Sequence, residues 1–140
     1  MKGSSLRKLL VFLQTIVLLS SCSLFQSDKD KLKEAIKDYQ ASLPYSTGEG
    51  MYLIRVDFSE GANVIVFESE AEGLYSLSSR EKDAIRKGVR DMLKFSFVGE
   101  TGSEMYKVFD NVRPDFRFLV RNAGSGRILF DETFLPNEYL

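Results

Sequence analysis

Leu32, Ile36, Tyr39 and Leu43 recur at spacings of 4, 3 and 4 and mark one face of a helix over residues 29–43. Ser27 or Asp28 is placed to cap its start, and Pro44 with the polar run Ser46-Thr47-Gly48-Glu49-Gly50 ends it. In MYLIRVDF, Tyr52, Ile54, Val56 and Phe58 alternate with Leu53, Arg55 and Asp57, the period of a half-buried strand. The turn SEGAN leads into NVIVFES, a second strand, so the pair predicts a β-hairpin. Ser78-x-x-Glu81 has the form of a capping box, and Ile85, Val89, Met92 and Leu93 continue an apolar helical stripe behind it. Ser96 interrupts that stripe between Phe95 and Phe97, which leaves the end of the helix open.

Gly99 and Gly102 then break the chain, and Met105–Phe109 predicts a strand. Phe116, Phe118 and Val120 alternate with Arg117, Leu119 and Arg121 in the next strand. The turn NAGSG, rich in residues that tolerate positive φ, precedes a last strand, RILFDETF, with Ile128 and Phe130 facing inward. The resulting order, α-β-β-α-β-β-β, predicts an α+β fold: an antiparallel sheet with two helices packed on one face. Both halves share a helix-then-hairpin plan, but their sequence identity is too slight to make a repeat.

Composition narrows the function classes. The 140 residues are 44% hydrophobic, with 11 Phe and 6 Tyr, enough for one domain with a sizeable core. There is no histidine, which excludes Ser-His-Asp and Cys-His catalysis, His-ligated zinc and an imidazole switch. One cysteine forms no internal disulfide and no thiolate cluster. Lys2, Arg7 and Lys8 precede an apolar run, and the chain after residue 21 carries 16 basic and 20 acidic side chains, a net of −4. Nucleic-acid binding requires a basic footprint that this charge balance does not supply.

The basic residues 1–8, the apolar run LLVFLQTIVLL at 9–19 and the small pair Ser20-Ser21 form the three-part layout of a secretory signal peptide. A permanent membrane-spanning helix requires about 20 apolar residues, more than this run contains. The domain division that follows is 1–21 signal peptide, 22–30 lipidated N-terminus and tether, and 31–140 a single α+β domain.

Leu19-Ser20-Ser21-Cys22 resembles the lipobox of bacterial lipoproteins: an aliphatic residue, two small residues, then cysteine. The resemblance covers about 22 residues. It implies that the Cys22 thiol receives a diacylglycerol, with palmitate-type acyl chains. It also implies that the signal peptidase of that pathway recognises Leu19, Ser20 and Ser21 and cuts before Cys22. Ser23 stands where an Asp resembles the inner-membrane retention signal, so the resemblance favours the outer membrane over the inner.

Arg113, Arg117, Arg121 and Arg127 are the candidate anion-binding residues, guanidinium forks for a carboxylate, phosphate or glycan acid. The competing reading is a solvated sheet face with Asp115, Asp131 and Glu132 as cross-strand partners. Glu68, Glu70 and Glu72, spaced by two, present carboxylates that a calcium ion would accept, although no Asp-x-Asp-x-Asp-Gly loop accompanies them. Asp57 with Glu60, or Asp131 with Glu132, are the acidic pairs open to hydrolytic chemistry. Tyr45, Tyr52, Tyr75, Tyr106 and Tyr139 line a groove or else pack with their hydroxyls at the surface.

The expectation is a lipid-anchored bacterial envelope protein, not an enzyme. It has no cofactor or metal, and its domain is a structural, assembly or partner-binding module at the membrane surface. Its partners are the membrane, through the anchor, and an envelope protein. The sheet's outer face and the loops at 44–50 and 98–104 are the expected contact regions. The alternative is a periplasm-facing module that binds a small anionic ligand through the arginine face.

Overall fold

The computed structural model describes residues 27–48, 50–98 and 104–140. In chain order these form α1 (Asp28–Gln40), β1 (Tyr45–Gly48), β2 (Met51–Ser59), β3 (Val64–Ala71) and α2 (Ser79–Val98). They continue with α3 (Glu104–Val112), β4 (Asp115–Asn122), β5 (Ile128–Phe134) and the single turn α4 (Pro136–Tyr139). The α+β class holds. α1 starts at Asp28, one residue before the predicted helix, and Ser27 of the two expected caps is its N-cap, accepting from Asp30 N at 3.1 Å. The stripe Leu32, Ala35, Ile36 and Tyr39 is buried. Burial pushes the Tyr39 phenol up to about 12, with the neighbouring Tyr45 adding to the shift.

The sheet order is β1-β2-β3-β4-β5. The β2–β3 and β4–β5 hairpins form as the alternation predicted. The sheet, however, is mixed. β3 and β4 are adjacent and parallel, from Val64 opposite Asp115 to Ala71 opposite Asn122. A parallel pair cannot be closed by a tight turn, and here α2 and α3 make the crossover.

Three further expectations change. Met105–Phe109 lies within a helix, α3, not a strand. Met105, Val108, Phe109 and Val112 suit helical spacing as well as Met105, Lys107 and Phe109 suit a strand's, and packing against α1 decides. The polar run after Pro44 contains an unpredicted strand, β1, which pairs with β2 and completes the five. Besides the irregularity in β1, two β-bulges break the simple alternation of the longer strands. One, between Leu53 and Arg55, puts Leu53 rather than Ile54 in the core. The Val56 N–H beside it donates to Gln40 Oε1 at 2.8 Å, which ties α1 to β2. The other, between Val120 and Arg121, leaves Ile128 exposed while Phe130 is buried.

One core joins the helices to one face of the sheet. Val56, Phe58, Ile65, Phe67, Phe116, Phe118, Phe130 and Phe134 meet Leu32, Ile36, Val89, Leu93, Val108, Phe109 and Tyr139. More helices contribute than the two expected. Aromatic stacking sets its centre: Phe67 on Phe118 at 5.1 Å between centroids, and Tyr139 edge-on to Phe116 at 4.9 Å. The Tyr139 hydroxyl donates to the Pro114 carbonyl, and burial raises its pKa. At one end of the sheet, left-handed Asn63 donates from Nδ2 to the Val112 and Arg113 carbonyls at 2.8 and 3.2 Å. At the other, buried Asn122 donates to Leu74 O at 2.7 Å and accepts from Gly124 N and Ser125 N at 3.0 and 2.8 Å.

Candidate functional site

The helix-free face of the sheet carries the charged positions of four strands. Period-two alternation sends Arg55 and Asp57 of β2, Glu68 of β3, Arg117 and Arg121 of β4 and Asp131 of β5 there, because their strand neighbours are claimed by the core. Register then decides who meets whom. Arg55 lies opposite Glu68, and its Nε donates to Glu68 Oε1 at 3.0 Å. Arg121 donates from Nε to the other oxygen of Glu68 at 3.1 Å and from Nη1 to Gly126 O at 3.1 Å. Glu68 is thus shared by arginines from the strands on either side of it.

Arg117 grips Asp131 with two hydrogen bonds, Nε to Oδ1 at 2.8 Å and Nη2 to Oδ2 at 2.7 Å. These bonds hold the Asp131 carboxyl below its usual range and push Arg117 higher still. Leu119, between Arg117 and Arg121, is only 4% exposed although it lies outside the main core cluster.

The four arginines singled out by sequence are distributed, not assembled. Arg117 and Arg121 share the outer face. Arg113, in left-handed backbone before β4, pairs with Asp110 at 3.1 Å, and Arg127 is exposed in the β4–β5 turn at the opposite end of the strand. Of the three proposed acidic partners, Asp131 is the one found on an arginine of this group. Glu132 follows it in the strand and so faces the other side, where its carboxylate is 3.7 Å from Arg86 Nε. Asp131 and Glu132 therefore do not form a catalytic pair. Asp57 and Glu60 are each taken up by a separate cation, Arg55 at 3.4 Å and Lys33 at 3.1 Å respectively.

The calcium row is broken in the same way, since Glu68 is held by two arginines. No group of three or more metal-ligating side chains occurs among the described residues. The tyrosines do not share a groove: Tyr139 is in the core, whereas Tyr75 is 72% exposed in the loop after β3. Leu19, Ser20, Ser21 and Cys22 lie outside the described residues, as does most of the expected 98–104 contact loop.

Sequence reasoning missed Arg86, which carries a second charged cluster. Its guanidinium carbon stands 5.2 Å from the Phe134 ring centroid, and Nη2 is 3.4 Å from Glu138 Oε1. The signal was its place between Ile85 and Val89, on the flank of the apolar stripe. The joint at Glu68 left no such trace, because it depends on strand order.

No family model matches the chain, and no curated protein matches it. Three solved structures are similar. A Pseudomonas aeruginosa protein described as secreted is 14% identical, with a TM-score of 0.56 over 81% of this chain and 93% of that one. A pilotin of the type 2 secretion system from Vibrio vulnificus is 15% identical, with a TM-score of 0.44 over 92% of this chain and 96% of that one. The type II secretion system pilotin of Vibrio cholerae is 12% identical, with a TM-score of 0.47 over 91% and 94%. The likeness to the Pseudomonas protein is one of fold, and the two Vibrio matches fall below that level.

Proposed function

We propose that this chain is a lipid-anchored bacterial envelope protein, tethered to the outer membrane through Cys22, and that its α+β domain is a non-enzymatic partner-binding module. The anchor reading rests on Leu19-Ser20-Ser21-Cys22 at the end of its apolar run. The partner-binding reading rests on the outer sheet face. There, charged side chains from four strands are held in fixed positions by one another and remain partly exposed, with the Arg55, Arg117 and Arg121 side chains 43, 42 and 35% exposed. Charges already ordered lose little entropy on meeting a complementary protein surface, which favours specific docking. The anion-ligand alternative requires Arg117 to release Asp131 and Arg121 to release Glu68. Docking on the intact face requires neither exchange.

The intact mass of the membrane-extracted protein tests the anchor. Wild type is expected to begin at Cys22 with added acyl mass, and Cys22→Ala to lack it; wild type cleaved without lipid sinks the anchor reading. Chemical crosslinking in intact cells tests the module. An envelope protein joined to wild type is expected to be lost from Arg55→Ala plus Arg121→Ala. If instead a small anion co-purifies and disappears with Arg117→Ala plus Arg121→Ala, the alternative takes its place.

A further inference from the structure

Phe95 is 82% exposed, the most exposed large apolar side chain among the described residues. It stands near the end of α2 beside exposed Lys94, while Leu93, two positions back, is fully buried. The helix thus turns one flank to the core and presents an aromatic ring on the other. A phenylalanine this exposed draws little burial energy from the fold.

Topology places this ring. α2 starts after the far end of β3, so it returns toward the end of the sheet where β3 begins at Val64 and β4 at Asp115. It has reached that end by Arg86, which lies over Phe134 and pairs with Glu138; Phe134 is itself opposite Phe116. Phe95 is nine residues further on, about 13 Å along the axis. The start of α1 is at this same end. Asn111 Nδ2, just before β4, donates to Asp28 Oδ2 at 2.6 Å, and Lys33 reaches Glu60 in the β2–β3 turn at 3.1 Å. Exposed Tyr75 follows β3 at the opposite end.

Asp28 is the sixth residue after Cys22, a span of at most about 20 Å. A lipid on Cys22 therefore holds the Asp28 end of the domain, and Phe95 with it, close to the bilayer. We propose that this end docks on the lipid surface, with Phe95 seated among the acyl chains and Lys94 at the level of the phosphates. The proposal rests on the lipid-anchor reading of Cys22. An amphipathic contact of this kind adds to acyl anchoring. Two or three chains already resist release, so the main effect of Phe95 is orientation: it turns the Tyr75 loop and the β4–β5 turn away from the membrane.

The chain has no tryptophan, so Phe95→Trp and Tyr75→Trp each introduce a sole indole at an exposed site. Each variant, extracted from membranes in its mature, lipidated form, is placed on phosphatidylethanolamine–phosphatidylglycerol vesicles with or without brominated acyl chains. The expected result is blue-shifted emission quenched by bromine for Phe95→Trp, with Tyr75→Trp unaffected. If the protein floats with the vesicles but Phe95→Trp is unquenched, the anchor stands and the docking proposal fails. Equal quenching at both sites also overturns it. A protein that neither floats nor carries acyl mass removes the anchor and the proposal together. An indole at 95 that shifts only in native membranes, and there crosslinks to protein, replaces the lipid with a protein partner.

Discussion

Asp131 shows how far a single charged residue depends on its partner. An unfolded-chain aspartate titrates near 3.9, and the two hydrogen bonds from Arg117 hold the folded value lower. A carboxylate shifted downward contributes stability above its unfolded pKa, and that contribution is lost as pH falls through the folded value. The side chain is 33% exposed, so solvent screens the pair and the contribution stays below about 1 kcal/mol. Asp131→Asn is expected to lower the urea midpoint at neutral pH by a corresponding small amount. The gap to wild type should close as the pH is taken below the carboxylate range. A gap of unchanged size in acid would mean that packing, not charge, supplies the difference. Sequence singled out Arg117 and named Asp131 among its partners, since both are polar positions on neighbouring strands. It could not foresee that Glu68 serves both Arg55 and Arg121. That joint requires β3 to lie between β2 and β4.

Local chemistry made α2 the most legible element. Ser78 Oγ accepts from Glu81 N at 3.1 Å, and Glu81 Oε1 accepts from Ser78 N at 3.1 Å, the capping box read from four residues. The Ser78 N–H, and after it the Ser78 hydroxyl, stabilise the Glu81 carboxylate and lower its pKa. Gly88 is a mismatch within the same helix. It has no positive φ, and a methyl group placed there meets nothing within 4 Å. Gly88→Ala is therefore expected to stabilise the protein by about 0.5–1 kcal/mol, seen as a higher melting temperature. An unchanged or lower melting point would show that the helix interior at Gly88 does not follow ordinary propensity. α3 was misread for the opposite reason. Nine residues, Glu104–Val112, offer too few repeats to separate a period of two from one of 3.6.

At the scale of the whole molecule, stability should be graded across the sheet. β3 and β4 are paired on both edges, and Ile65, Phe67, Phe116 and Phe118 bury their core face. β1 has four residues, a bulge and one neighbour. Amide hydrogen exchange is expected to be slowest in β3 and β4, at the level of global unfolding, and much faster over Tyr45–Gly48. Equal protection in β1 would mean that the edge unfolds only with the core. The two hairpins are the part of this arrangement that short-range pattern predicted correctly. Their union through a parallel pair was misassigned as antiparallel.

By itself the sequence determined the α+β class, the amphipathic faces of α1 and α2, both hairpins and the N-terminal pattern ending in Cys22. These depend on residues close together in the chain, where alternation, helical spacing and turn chemistry act directly. Tertiary structure decided the parallel β3–β4 pairing, the helical state of α3, both bulges and the partners of Glu68 and Arg86. Each depends on residues distant in sequence competing for the same buried face. That competition is settled by packing and register, which no local period records.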